Sequence, residues 1–237
     1  MTRDFPAGNY KFIPAVFQYS SGAAADPGFE IERVRFDRLV PLVQAAGRPL
    51  TSFCACELRS PAAFTDAGFR AFNEHYVKTL AQWGLFDGVT NPVARSNVCP
   101  EIDPPAEPSF YAFSFTRPSQ GTAPAFVIAG GAESREGGAS YAERTVRYRD
   151  LSPEGIKDKV RFTTGEMENR LGAFGFGWKD TTTVQAYTVH DFHPVLADEL
   201  VRRGATRSGL TWHFARPPVI DLEYEMDCRR VLRESVI

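Results

Sequence analysis

Apolar positions along this chain recur at two periods, and the order in which those periods appear is run through twice. Strand-like runs that end in small residues come first: Val16-Phe17-Gln18-Tyr19-Ser20-Ser21-Gly22 near the start, and Phe126-Val127-Ile128-Ala129-Gly130-Gly131 past the middle. A segment at helical spacing follows each. In the first, Ile31, Val34, Leu39, Leu42 and Val43 mark an apolar face that Pro41 must kink or split. In the second, Leu151-Ser152-Pro153 has the form of an N-cap with proline at the first helical position, and Ile156, Val160, Met167 and Leu171 carry the face onward. Glycine ends both, at Gly47 and at Gly172 or Gly175.

The order then continues in step. A second strand is predicted over residues 50–58 and again over 181–189. A second helix follows, amphipathic in the first copy through Phe69, Phe72, Tyr76, Leu80 and Trp83, and shorter in the second around Val195 to Leu200. Both halves next reach an Arg-Ser pair, Ala94-Arg95-Ser96 and Thr206-Arg207-Ser208. Each then passes a proline pair, Pro104-Pro105 or Pro217-Pro218, into a closing strand, Ser109 to Phe115 or Val219 to Met226. The Pro/Gly/Ser-rich stretch at 117–125 cuts the chain near its midpoint, as a linker would. Two tandem α+β domains are expected, over 1–118 and 122–237.

Composition narrows the function classes. Of 237 residues, 43% are hydrophobic and 24% charged, with a net charge of −2. Lysine and arginine are scattered, so the basic stripe that would neutralise phosphates is missing and nucleic acid is not an expected partner. The four cysteines, Cys54, Cys56, Cys99 and Cys228, have no metal-ligand spacing; Cys54 and Cys56 sit in a β-like run whose alternation would point both to one face, as buried reduced thiols. His190-x-x-His193 has no matching carboxylate set and is expected to be structural. No metal or cofactor is expected. The opening MTRDFPAGNYKF has no apolar signal core, and no membrane-length apolar run occurs, so a cytoplasmic location is expected. Gly172-Ala173-Phe174-Gly175-Phe176-Gly177 follows a helix instead of a strand, which excludes a phosphate loop.

The ordered motifs resemble the Rid (YjgF-like) enamine/imine deaminases. In the first half the resemblance rests on Ser21-Gly22, on Phe69 to Asn73-Glu74-His75-Tyr76, and on Ala94-Arg95-Ser96. In the second it rests on Asp191-Phe192, Arg207-Ser208, and Ile220-Asp221-Leu222-Glu223-Tyr224. It implies domains with a mostly antiparallel sheet and two helices on one face, assembled as trimers with sites in interdomain clefts. It also implies that the motif arginine, Arg95 or Arg207, grips a substrate carboxylate while an acid on the closing strand orders water. That acid is Asp221 in the second half; in the first the position falls near Phe110, with Glu107 out of register. Ser21, Gly22, Asn73, Ser96 and Ser208 are the implied substrate-binding positions. The second half departs again where Ser-Gly has become Gly130-Gly131 and the asparagine position falls at Leu196.

Such hydrolysis is mostly positioning: water adds to the imine carbon and ammonia leaves. A guanidinium suits a carboxylated substrate because its planar fork meets both oxygens. The resemblance therefore predicts a hydrolase acting on a small carboxylated enamine or imine, of the aminomuconate or the 2-aminoacrylate type. A dicarboxylate would need a second cation, for which Arg59, Arg144 and Arg147 are candidates. The bland readings are a surface salt bridge for each arginine, a solvated acidic face for Asp221-Glu223-Glu225, and turn chemistry for Ser21-Gly22. The rival functions are a non-catalytic metabolite- or protein-binding module, and another carboxylate-handling reaction of the kind run by chorismate-processing folds.

Overall fold

The computed structural model describes residues 1–35, 39–137 and 140–236. Thirteen strands form among these residues. In chain order they are β1 (Arg3–Phe5), β2 (Tyr10–Ile13), β3 (Gly22–Ala25), β4 (Phe29–Arg35), β5 (Phe53–Arg59), β6 (Ala94–Pro100) and β7 (Ser109–Pro118). After them come β8 (Phe126–Ala132), β9 (Thr183–Tyr187), β10 (Thr211–His213), β11 (Ala215–Arg216), β12 (Glu225–Arg230) and β13 (Arg233–Val236). The helices are α1 (Leu39–Ala45), α2 (Asp66–Gln82), α3 (Tyr141–Arg144), α4 (Pro153–Ala173) and α5 (His193–Leu196), the last running into a π-turn at Ala197–Val201. None is long and apolar enough to cross a membrane.

The strands build a seven-stranded sheet, β1-β2-β3-β8-β12-β9-β10, and a six-stranded sheet, β11-β6-β5-β7-β4-β13. Each contains the same four-strand set. In one, β5 pairs parallel with β6 and antiparallel with β7, which pairs antiparallel with β4. In the other, β9 pairs parallel with β10 and antiparallel with β12, which pairs antiparallel with β8. The sheets also exchange strands across the midpoint. β1, β2 and β3 extend the sheet of the second half through β3–β8 pairing, while β11 and β13 extend that of the first through β6 and β4.

Burial follows this layering. α4 and the α5 segment cover one face of the seven-stranded sheet through Val160, Met167, Leu171 and Leu200 against Ile128, Val184 and Met226. α1 and α2 cover the six-stranded sheet through Val43 and Leu80 against Phe53, Cys56 and Phe113. The two uncovered faces meet each other, around Tyr10, Phe12, Ile31, Cys54 and Ala129. α4 begins as the sequence requires, with Ser152 Oγ accepting from the Gly155 N–H at 3.1 Å and Pro153 in the first turn.

Three local expectations are corrected. Ile31 and Val34, counted into a helical face, lie in strand β4, where they meet Thr116 and Phe113 of β7, while Leu39, Leu42 and Val43 lie in α1. Residues 219–224 precede the closing strand instead of forming it. Pro217-Pro218 and a left-handed Asp221 (φ 69°) keep the chain in a turn until Glu225. Cys54 and Cys56 face opposite sides of their sheet: a bulge between Phe53 and Ala55 turns Cys54 to the layer between sheets and Cys56 to the helices. All four thiols are buried and free, and burial pushes that of Cys56 up to about 12.

Candidate active site

A cleft of about 70 Å³ opens where β6 of one sheet meets β8 of the other. Strand alternation places Arg95 and Asn97 together on its wall and turns Ser96 away, where Ser96 Oγ donates to Asp227 Oδ2 at 2.7 Å. Arg95 is 4% exposed, and its guanidinium is framed by the rings of Tyr19, Phe69, Phe72 and Tyr76, with centroids 4.9–5.7 Å away. Three of those rings come from the α2 aromatic stripe, so the stripe that packs the helix also fixes the cation. Arg95 Nη1 and Asn97 Nδ2 are buried and find no hydrogen-bond partner among the described residues.

Opposite them stands Glu225, the first residue of β12 and 4% exposed. Burial and the nearby Asp227 push its carboxyl up to about 8, against the pull of Arg170 and Arg95. Gly130 makes room for it: a Cβ there would collide with Glu225 Oε1 and approach Ser96 Cα to 3.0 Å. Arg170, 8% exposed near the end of α4, reaches across to donate Nη1 to the carbonyls of Ala129 (3.0 Å) and Gly130 (3.2 Å). Its Nη2 faces Glu136 at 4.0 Å.

Beside the cleft, the layer between the sheets holds an ionic cluster. Arg33 makes a two-point pair with Glu57 at 2.6 and 2.9 Å, and Arg229 of the other sheet approaches the same carboxylate at 3.8 Å. Burial pushes Glu57 up, but Arg33, Arg229 and Arg59 outweigh it and hold it at about 2. Asp227, buried and facing Glu57, is pushed up to about 6 despite donors from Ser96 and Tyr187. His213 is pushed down to about 4 by burial and Arg59.

The expected site residues divide as follows. Arg95 lies in the cleft, and Ser21 Oγ reaches Glu136, a cleft residue, at 3.5 Å. Gly22 opens β3, and Asn73 is fully buried one helical turn beyond Phe69, with no side-chain partner among the described residues. Arg207 and Ser208 are exposed in the turns after the π-turn, where Ser208 Oγ meets Thr181 Oγ1 at 3.2 Å. Asp221 is tied outward, accepting from Tyr148 Oη at 2.8 Å and lying 2.9 Å from Arg149 Nη2. Local placement explains the scatter. Arg95 lies within β6, opposite Cys56 of β5, whereas Arg207 lies in the turns before β10. The acidic run read as a solvated face is largely buried, with Glu223 at 9% and Glu225 at 4% exposure. His190 pairs with Glu223 at 2.6 Å, and His193 with Asp191 at 2.8 Å. Of the second-cation candidates, Arg144 lines the cleft, Arg59 stacks on Tyr111 between the sheets, and Arg147 pairs with Asp150 and Asp158. Arg170 and Lys159 carried a signal that went unread: both are ionisable groups within the apolar stripe of α4.

A solved chorismatase structure superposes with a TM-score of 0.52 at 12% identity, covering 88% of this chain and 77% of that one, a likeness of fold alone. The 2-amino-5-chloromuconate deaminase of Comamonas testosteroni is 52% identical over 245 residues, 98% of each chain. The family model described as 2-aminomuconate deaminase CnbZ matches residues 2–235. The chain belongs to the 2-aminomuconate deaminase family.

Proposed function

We propose that the cleft between β6 and β8 hydrolyses a 2-aminomuconate-type enamine and releases ammonia. The observation that carries this reading is a fixed guanidinium, Arg95, whose Nη1 has no partner among the described residues, facing a buried carboxyl, Glu225, that is poised to exchange protons near neutral pH. Arg95 and Asn97 hold the carboxylate next to the amine-bearing carbon. Glu225 starts protonated and gives its proton to the enamine carbon, which produces the iminium. As a carboxylate it then takes a proton from water while the oxygen adds to the iminium carbon. The carbinolamine nitrogen next takes that proton back from Glu225, the C–N bond breaks, and the hydroxyl proton returns to Glu225 as the ketone forms. One enamine and one water thus yield one ketone and one ammonia, and the acid is regenerated.

The recurring four-strand set supports a tandem duplication as the origin of the chain. On that reading the copies have diverged unequally, because Arg95 and Glu225 line the cleft while Arg207 is exposed and Asp221 is tied outward to Tyr148 and Arg149.

Ammonia release from 2-aminomuconate generated in situ tests the assignment. Glu225→Gln is expected to lower kcat by roughly 10²–10⁴-fold, the usual contribution of a positioned acid-base group. Arg95→Ala should cost about 10–100-fold in kcat/KM, the worth of a charged hydrogen bond. Exposed Arg207→Ala should stay within about twofold. Full turnover by Glu225→Gln would remove the basis of the mechanism.

A further inference from the structure

The cleft leaves unpartnered polar atoms at two separate places. Arg95 Nη1 and Asn97 Nδ2 form one set, on β6. Ser134 Oγ and Arg144 Nε form the other, on the loop wall after β8, and they too are buried without a hydrogen-bond partner among the described residues. The second pair is built and not incidental. Ser134 and Thr145 form an isolated antiparallel bridge, Arg135 N–H donates to the Arg144 carbonyl at 3.1 Å, and Arg144 Nη1 donates to the Arg135 carbonyl at 3.2 Å. The Arg144 guanidinium lies 3.8 Å from the Tyr141 ring centroid, which fixes its plane. Arg170 is held differently: its Nη1 donates to two backbone carbonyls of β8, so it tethers α4 to that strand.

We infer that Ser134 and Arg144 form a second carboxylate subsite, so that the cleft selects a dicarboxylate held at both ends. This rests on the first carboxylate being held by Arg95. A buried donor without an acceptor costs free energy, and two such sets in one cavity fit two anionic groups on one ligand. Tyr141 lies between the sets: burial pushes its phenol up to about 12, while Arg144 and Arg95 both pull the other way. A monocarboxylic enamine would satisfy only the β6 set and leave the loop set bare.

Equilibrium binding of two stable probes to the full chain tests this without turnover. cis,cis-Muconate carries both carboxylates, and 2,4-hexadienoate carries one on the same diene frame. By calorimetry the wild type should prefer muconate by roughly tenfold or more. Arg144→Gln should erase that preference and leave hexadienoate binding unchanged, with Ser134→Ala a smaller shift in the same direction. Equal affinities in the wild type, no muconate binding, or equal weakening of both probes by Arg144→Gln together with no shift from Ser134→Ala would each overturn the subsite. Unimpaired deamination by Glu225→Gln would defeat the proposed chemistry while leaving these affinities as they are, so the two failures are told apart.

Discussion

At Glu225 the folded chain holds a proton that the unfolded chain would lose. Its ordinary value is 4.5, and burial with Asp227 beside it raises this to about 8. A raised carboxyl contributes stability that is complete below 4.5 and disappears as pH rises through 8, because only the unfolded chain ionises freely in that window. Glutamine mimics the protonated acid. Glu225→Gln should therefore melt several degrees above wild type at pH 8.5 and within about a degree of it at pH 4, as read by thermal scans. A wild type that is the more stable protein at pH 8.5 would contradict the burial argument. The motif position marked Arg95 in the sequence, and the fold sets it in the wall of a cleft. Glu225 went unmarked, because alternation of Asp221, Glu223 and Glu225 fits a wetted strand equally well, and only the packing of a second sheet over that face distinguishes the cases. Arg207, marked by the same Arg-Ser pair, lies exposed in a turn away from the cleft, because two residues of motif identity do not fix where a turn places them.

Elements were read more securely than their faces. The strand β5 and helices α2 and α4 lie close to where period and caps placed them, since each carries its signal within its own residues. The bulge in β5 and the strand character of β4 depend on β7 beside them, which no single segment encodes. α4 also carries Lys159 within its apolar stripe, fully buried and 3.2 Å from the equally buried Glu133 at the end of β8. Glu133 in turn accepts from the backbone N–H groups of Glu223 (2.7 Å) and Tyr224 (3.1 Å), so one pair ties a helix, a strand end and the approach to β12. Removing one partner of a buried pair strands the other charge. Lys159→Met should cost about 3–5 kcal/mol in urea unfolding, and adding Glu133→Gln should recover part of it. A loss below about 1 kcal/mol, typical of surface pairs, would show the pair to be solvated.

For the whole molecule, the order of elements was visible in the sequence and the exchange of strands was not. Periodicity says that a segment is a strand; it does not name the strand beside it. Because β1–β3 complete the sheet of the second half while β11 and β13 complete that of the first, neither sheet can be lost alone. Calorimetry should show one transition with equal calorimetric and van't Hoff enthalpies, and two resolved transitions would argue for independent halves.

The ionic cluster between the sheets bears on the width of the cleft. Arg95 and Glu225 belong to different sheets, so the gap between them is a structural dimension of the molecule and not of any one strand. Arg33, Glu57 and Arg229 span that gap as a strut, beside the Ser96–Asp227 hydrogen bond; Ser96 adjoins Arg95, and Asp227 lies two residues from Glu225. The jaw width is thereby set before any substrate arrives, and a shortened strut would retune which chain lengths fit without touching a single residue of the cleft.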